Sequence, residues 1–223
     1  MYKIGAVTIG QSPRSDVIAD IRPILGSEVD VVEAGALDGL TKEEIAKLVP
    51  KEGDYVLVTR LRDGTSVKVA ERYITPLLQD KISNLFESGI PVVLLLCTGE
   101  FPEFPAKGLL IRPQRILFEV TKAIGAGLKL GVFTPSDDQI EQSRKRWSTI
   151  TKELQVVAAS PYINSDSSVS NGAEQLSKWG AQIIVMDCIG YTYQMKRRVK
   201  EITSCSVILA RTVASRIAKE LLE

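Results

Sequence analysis

The chain has 223 residues, 44% of them hydrophobic, enough to bury one large α/β core or two smaller ones. Lys and Arg number 28 against 27 for Asp and Glu, and the resulting net charge of +1 provides no global field for a polyanion, which argues against nucleic acid as a partner. Histidine is absent, removing Ser-His-Asp and Cys-His nucleophile systems and imidazole metal ligands, so any acid or base must be a carboxyl, thiol, amine or phenol.

In chain order, an apolar stretch over 4–9 runs into Gly10-Gln11-Ser12-Pro13-Arg14 and then an amphipathic segment over 16–25, the pattern of strand, loop and helix. A second strand follows at 29–32. Thr41, with Glu44 three residues on, forms a capping box that opens a short helix ending near Pro50. Residues 55–61 read as a strand, Asp63-Gly64 as a two-residue hairpin turn and 67–69 as the return, an antiparallel insertion. A long helix over 70–88 stops at Gly89, and Pro91-Val92-Val93-Leu94-Leu95-Leu96-Cys97 is a near-continuous apolar strand of the kind covered on both faces. After a loop over 98–110, Pro113 opens a helix that closes at Gly125 and Gly127. The pattern then restarts with a strand over 129–134, a helix through Trp147, a short strand over 156–159 and a helix over 169–179 stopped by Gly180. A second fully apolar strand spans 181–187, and helix, strand and helix over 191–202, 206–209 and 212–222 complete the chain. This alternation predicts an α/β fold with mainly parallel sheets flanked by helices.

The longest apolar runs, 91–97 and 181–186, fall well short of the roughly 20 residues of a membrane helix. The chain opens on Met1-Tyr2-Lys3-Ile4 with no signal-peptide core, so a cytoplasmic location is expected and no membrane partner. Cys97, Cys188 and Cys205 lack the paired spacing of a disulfide framework or a zinc site, and no metal is expected. Gly10-x-x-Pro13 is not a dinucleotide fingerprint and no Walker loop occurs, so no cofactor is expected either.

The restart suggests two pseudo-equivalent lobes. Val7-Thr8-Ile9-Gly10-Gln11-Ser12-Pro13 has an analogue in Gly131-Val132-Phe133-Thr134-Pro135-Ser136, and Leu95-Leu96-Cys97-Thr98-Gly99 mirrors Met186-Asp187-Cys188-Ile189-Gly190. The expected division is an N-terminal lobe over 1–112 and a C-terminal lobe over 113–205. A last strand and helix over 206–223 could return to the first lobe, and a homodimer is compatible with this layout.

Ligands of open parallel sheets bind outside the carboxyl ends of the strands, where both Cys97 and Cys188 would sit. If the lobes face each other, the two thiols approach one cleft from opposite sides, and each Cys-x-Gly lets the backbone turn toward a ligand. That suits a small carboxylate with an acid and a base on opposite faces of its α-carbon. The plainer reading is that each cysteine is packed core at a strand end. Cys205 has no such context and reads as an ordinary small residue.

The segments Gly10-Gln11-Ser12-Pro13-Arg14-Ser15-Asp16, Gly35-Ala36-Leu37-Asp38-Gly39-Leu40, Cys97-Thr98-Gly99-Glu100-Phe101, Ser160-Pro161-Tyr162 and Asp187-Cys188-Ile189-Gly190-Tyr191 resemble the AroM family over essentially the whole chain. More distantly the layout is similar to the aspartate/glutamate/hydantoin racemase superfamily. That likeness implies two α/β lobes, no cofactor, and Cys97 and Cys188 as acid/base thiols. The chain departs from the superfamily pattern in Gly99 and Glu100 after Cys97-Thr98, and in Asp187 and Ile189 on either side of Cys188. A non-catalytic metabolite-binding protein with a degenerate cleft is therefore the alternative.

Further candidates lie near the same strand ends. Ser12 and Arg14 could clamp a carboxylate or phosphate, or serve only the turn and helix start. Arg60 could face the cleft, whereas Arg62 and Asp63 read as a solvated hairpin tip. Thr98, Gly99 and Gly190 flank the cysteines as backbone contacts for a ligand. Glu100 and Asp187 could tune a thiol or cap a helix, and Tyr162 and Tyr191 could supply phenol hydrogen bonds or a stacking wall. Arg144-Lys145-Arg146 and Lys196-Arg197-Arg198, interleaved with acidic neighbours, read as solvated helix faces.

Overall fold

The computed structural model describes residues 2–223. Its first strand, β1 (Tyr2–Thr8), is buried from Ile4 onward, and helix α1 (Ser15–Leu25) carries the chain to β2 (Val29–Gly35), parallel to β1 with Ala6 opposite Glu33. The capping box forms as expected: Thr41 Oγ1 accepts the N–H of Glu44 and the Glu44 carboxylate accepts the N–H of Thr41, opening the one-turn helix α2 (Lys42–Ile45).

Strands β3 (Val56–Arg60) and β4 (Ser66–Ala70) pair antiparallel as a separate two-stranded sheet. The turn is longer than its Asp63-Gly64 pair predicts. Leu61 donates its N–H to Thr65 O and accepts the N–H of Gly64, so Arg62, Asp63 and Gly64 form a three-residue loop with Gly64 at φ +89°. Helix α3 (Glu71–Glu87) leads to β5 (Val92–Leu96), which is buried at every position and lies beside β1 in parallel, Ala6 opposite Leu94. The segment expected to be loop over 98–110 runs at its end into a short strand, β6 (Leu109–Ile111), parallel to β5.

Helix α4 (Pro113–Gly125) precedes the second sheet. Its strands are β7 (Leu130–Thr134), β8 (Leu154–Ala158), β9 (Ile183–Met186) and β10 (Ser206–Leu209), and its helices are α5 (Ile140–Trp147), α6 (Ser165–Trp179) and α7 (Tyr193–Thr203). A short 3-10 turn, Asp137–Gln139, precedes α5. Helix α8 (Ala210–Glu220) ends the chain.

The two four-stranded sheets are parallel throughout and share one topology. Their orders are β2–β1–β5–β6 and β8–β7–β9–β10, which in both cases is second, first, third, fourth. The chain divides into one unit of residues 1–113 with 214–223 and another of residues 114–213. Strand β10 is thus part of the second sheet, while most of α8 groups with the first unit. The first unit's core includes Val7, Leu57, Ile74, Leu78, Ile82, Val93 and Leu95. The second has one cluster on Phe133, Leu176, Ile184 and Tyr191 and another on Leu117, Val132, Trp147 and Val185. Among the described residues, no helix is long and apolar enough to cross a membrane.

Candidate functional site

In each unit the first and third strands are neighbours, and the chain leaves their carboxyl ends toward opposite sides of the sheet. This is the switch point at which open α/β sheets bind ligands. Cys97 directly follows β5, and Cys188 lies two residues beyond β9, with the Asp187 N–H donated to Phe133 O at 3.1 Å. Both cysteines are thiols, each 7% exposed.

The two turns repeat in detail. The N–H of Gly99 donates to Cys97 Sγ at 3.2 Å, and that of Gly190 to Cys188 Sγ at 3.3 Å. Neither glycine has room for a side chain. A Cβ at Gly99 would fall 2.5 Å from Leu57 Cδ2 and 3.2 Å from Phe101, while one at Gly190 would fall 2.5 Å from Tyr162 Cζ. Thr98 is buried beside its cysteine. A buried arginine just beyond the fourth strand also bonds the segment after each cysteine. Arg112 donates to Phe101 O at 2.5 Å, and Arg211, fully buried, donates to Ile189 O and Gly190 O at 2.9 Å each. Sequence reasoning missed both, because an arginine at a helix start carries no mark of burial.

Tyr162 is half-buried with its hydroxyl 4.0 Å from Cys188 Sγ. Tyr191 is core: its hydroxyl donates to Ala159 O at 2.6 Å and its ring meets Phe133 edge-on at 6.1 Å. Burial first, and then Cys188, Asp187 and Tyr162 nearby, push the Tyr191 pKa well above its ordinary value.

Asp187 faces inward to a buried ion pair. Its Oδ2 accepts from Arg146 Nη1 at 3.0 Å and from the Trp147 indole at 2.8 Å. This corrects the reading of Arg144-Lys145-Arg146 as a solvated face: Arg144 stays outside, paired with Glu141, but Arg146 turns into the unit. Glu100 is exposed, with its N–H donated to the Tyr55 hydroxyl. Cys205 donates its S–H to Ala181 O at 2.8 Å, a local packing role.

At the end of the first sheet, Ser12, Arg14 and Arg60 gather around two aspartates. Ser12 Oγ donates to Asp38 Oδ2 at 2.6 Å, and Asp38 also accepts the N–H groups of Ser12 and Gly35. Arg14 is 2% exposed and bidentate on Asp16 at 2.8 Å, with a third donor on Thr8 Oγ1 at 3.3 Å. Arg60 donates to Gly64 O and lies 3.9 Å from Asp16. Arg62, expected to be solvated, is indeed exposed but ties the hairpin to this cluster by donating to Ser12 O at 2.7 Å. The segments 10–16 and 35–40 are therefore one interlocked structure.

A family model described as AroM protein matches residues 4–222. The chain belongs to the AroM family. No curated protein matches it in sequence. The fold of this AroM member is that of the racemases. The glutamate racemase of Francisella tularensis subsp. tularensis SCHU S4 superposes with TM-score 0.59 at 15% identity, covering 99% of this chain and 81% of that one. The allantoin racemase of Pseudomonas fluorescens gives 0.61 at 14% identity over 98% and 90%. The maleate isomerase of Pseudomonas putida S16 gives 0.60 at 13% identity over 99% and 92%.

Proposed function

We propose that this AroM protein is a cofactor-independent isomerase or racemase of a small carboxylate, with Cys97 and Cys188 as its proton-carrying groups. The observation that carries the reading is the duplicated local geometry. Each cysteine follows the third strand of its sheet, is buried, and has a sulfur that accepts the N–H of the glycine two residues on. In a chain without histidine, thiols are the side chains that ordinarily titrate closest to neutral pH. Two of the similar folds described above are named for glutamate and maleate, in keeping with a small carboxylate.

In the proposed step one thiolate takes the proton from the carbon next to the carboxylate, leaving its electron pair delocalised into that carboxylate. The second thiol then gives its S–H proton to the other face of the same carbon. One proton leaves and one returns, so no oxidant or reductant takes part. Small carboxylates incubated with the protein in deuterated water should gain deuterium at that carbon. Cys97→Ser and Cys188→Ser should each slow the exchange by about 10²- to 10⁴-fold. Exchange at the parent rate in both variants would end the proposal.

A specific observation favours the second reading, a metabolite-binding protein without turnover. Ser12 and Arg14, the expected carboxylate clamp, are already engaged by the chain's own Asp38 and Asp16. Under that reading a carboxylate binds, seen by calorimetry, yet no deuterium enters it.

A further inference from the structure

We infer that Tyr162 is a positioning residue for Cys188: its phenol lies within hydrogen-bonding distance of that sulfur and favours the thiolate. The inference rests on Cys188 being a thiol that ionises in use, as the proposed reaction requires.

The loop after β8 fixes the ring. Ser160 Oγ accepts the N–H groups of Tyr162 and Ile163 at 3.1 and 3.0 Å, while the N–H of Ser160 donates to Ser168 Oγ on α6 at 3.0 Å. Asn164, at φ 46°, then turns the chain into the helix. Held from both ends, the phenol lies over Gly190 with its oxygen 4.0 Å from Cys188 Sγ, in the space a Cβ at 190 would need. The Gly190 N–H donates to the sulfur, and the Tyr162 hydroxyl lies within hydrogen-bonding distance of it.

Cys97 has the first kind of donor, but the space over Gly99 is filled by carbon, from Leu57 and Phe101. The backbone repeat is conserved between the units while the side chain facing each turn is not. Of the other ionisable or charged groups around Cys188, Tyr191 donates to Ala159 O, Asp187 accepts from Arg146 and Trp147, and Arg211 donates to the carbonyls of Ile189 and Gly190. A hydrogen bond donated to a thiolate favours that charged form over the neutral thiol. Deleting the phenol oxygen should therefore make Cys188 harder to ionise while leaving the fold intact.

The test needs no substrate, so its failure is distinguishable from failure of the proposed function. The full chain and Tyr162→Phe are alkylated with iodoacetamide between about pH 6 and 10, and each cysteine is followed in its own peptide by mass spectrometry. In Y162F the Cys188 profile should move to higher pH, with its rate near neutrality about three- to tenfold lower, while Cys97 and Cys205 keep theirs. Gly190→Ala, whose methyl displaces the ring, should move Cys188 in the same direction. A Cys188 profile in Y162F that superimposes on the parent, or an equal shift at Cys97, would overturn the inference.

Discussion

Arg146 and Asp187 illustrate how much one inward-turning side chain decides. Their side chains are 6% and 5% exposed, and Asp187 directly precedes Cys188 in the chain. A buried charge that loses its partner is left uncompensated, so Arg146→Met or Asp187→Leu alone should cost about 3–5 kcal/mol in urea unfolding, and the double variant should recover much of that loss. Nothing in the one-dimensional pattern separates Arg146 from the two basic residues before it. Tyr191 allows a prediction in pH. Burial holds its folded pKa above the unfolded value of about 10, so its contribution to stability is complete below about pH 10 and is lost as the pH rises further. Tyr191→Phe should therefore lose about 1 kcal/mol near neutrality with the bond to Ala159 O, yet show a shallower decline in alkali.

Individual elements were legible where local chemistry alone sets them. The Thr41 capping box was readable from four residues because its two hydrogen bonds are local, and Thr41→Ala should cost about 1 kcal/mol. The hairpin was readable as a turn but not in its length, because the Leu61–Thr65 pairing that sets a three-residue loop lies outside the Asp63-Gly64 pair. At φ +89° and with a Cβ only 3.2 Å from the Arg60 guanidinium, Gly64→Ala should destabilise by about 1–2 kcal/mol, measured by thermal unfolding. Strand β6 was not legible. Three residues after a proline-containing segment show no period, and only pairing with β5 makes them a strand.

For the whole molecule, the repeated strand order is supported by positions that no sequence motif marks. Gly5 on β1 and Gly131 on β7 lie opposite Val93 and Ile184 on their third strands, and each is pressed by a helix leucine, Leu85 or Leu176. Arg112 and Arg211, just beyond β6 and β10, bond the segments that follow the two cysteines. Residues 214–223 group with the first unit, and Ala214, Ser215, Ala218 and Leu222 are buried. Removing 214–223 should therefore speed amide hydrogen exchange in β1, β2, β5 and β6 more than in β7 to β10.

The amino-acid sequence by itself determined the alternation of strands and helices, the family, and the two Cys-x-Gly turns at strand ends. These are carried by hydrophobic runs and by turn and capping residues close together in the chain. Only the tertiary structure decided the strand order, the inward turn of Arg146 and Arg211, the engagement of Ser12 and Arg14 by nearby aspartates, and the phenol beside Cys188. Most of these depend on residues 20 or more positions apart being packed together.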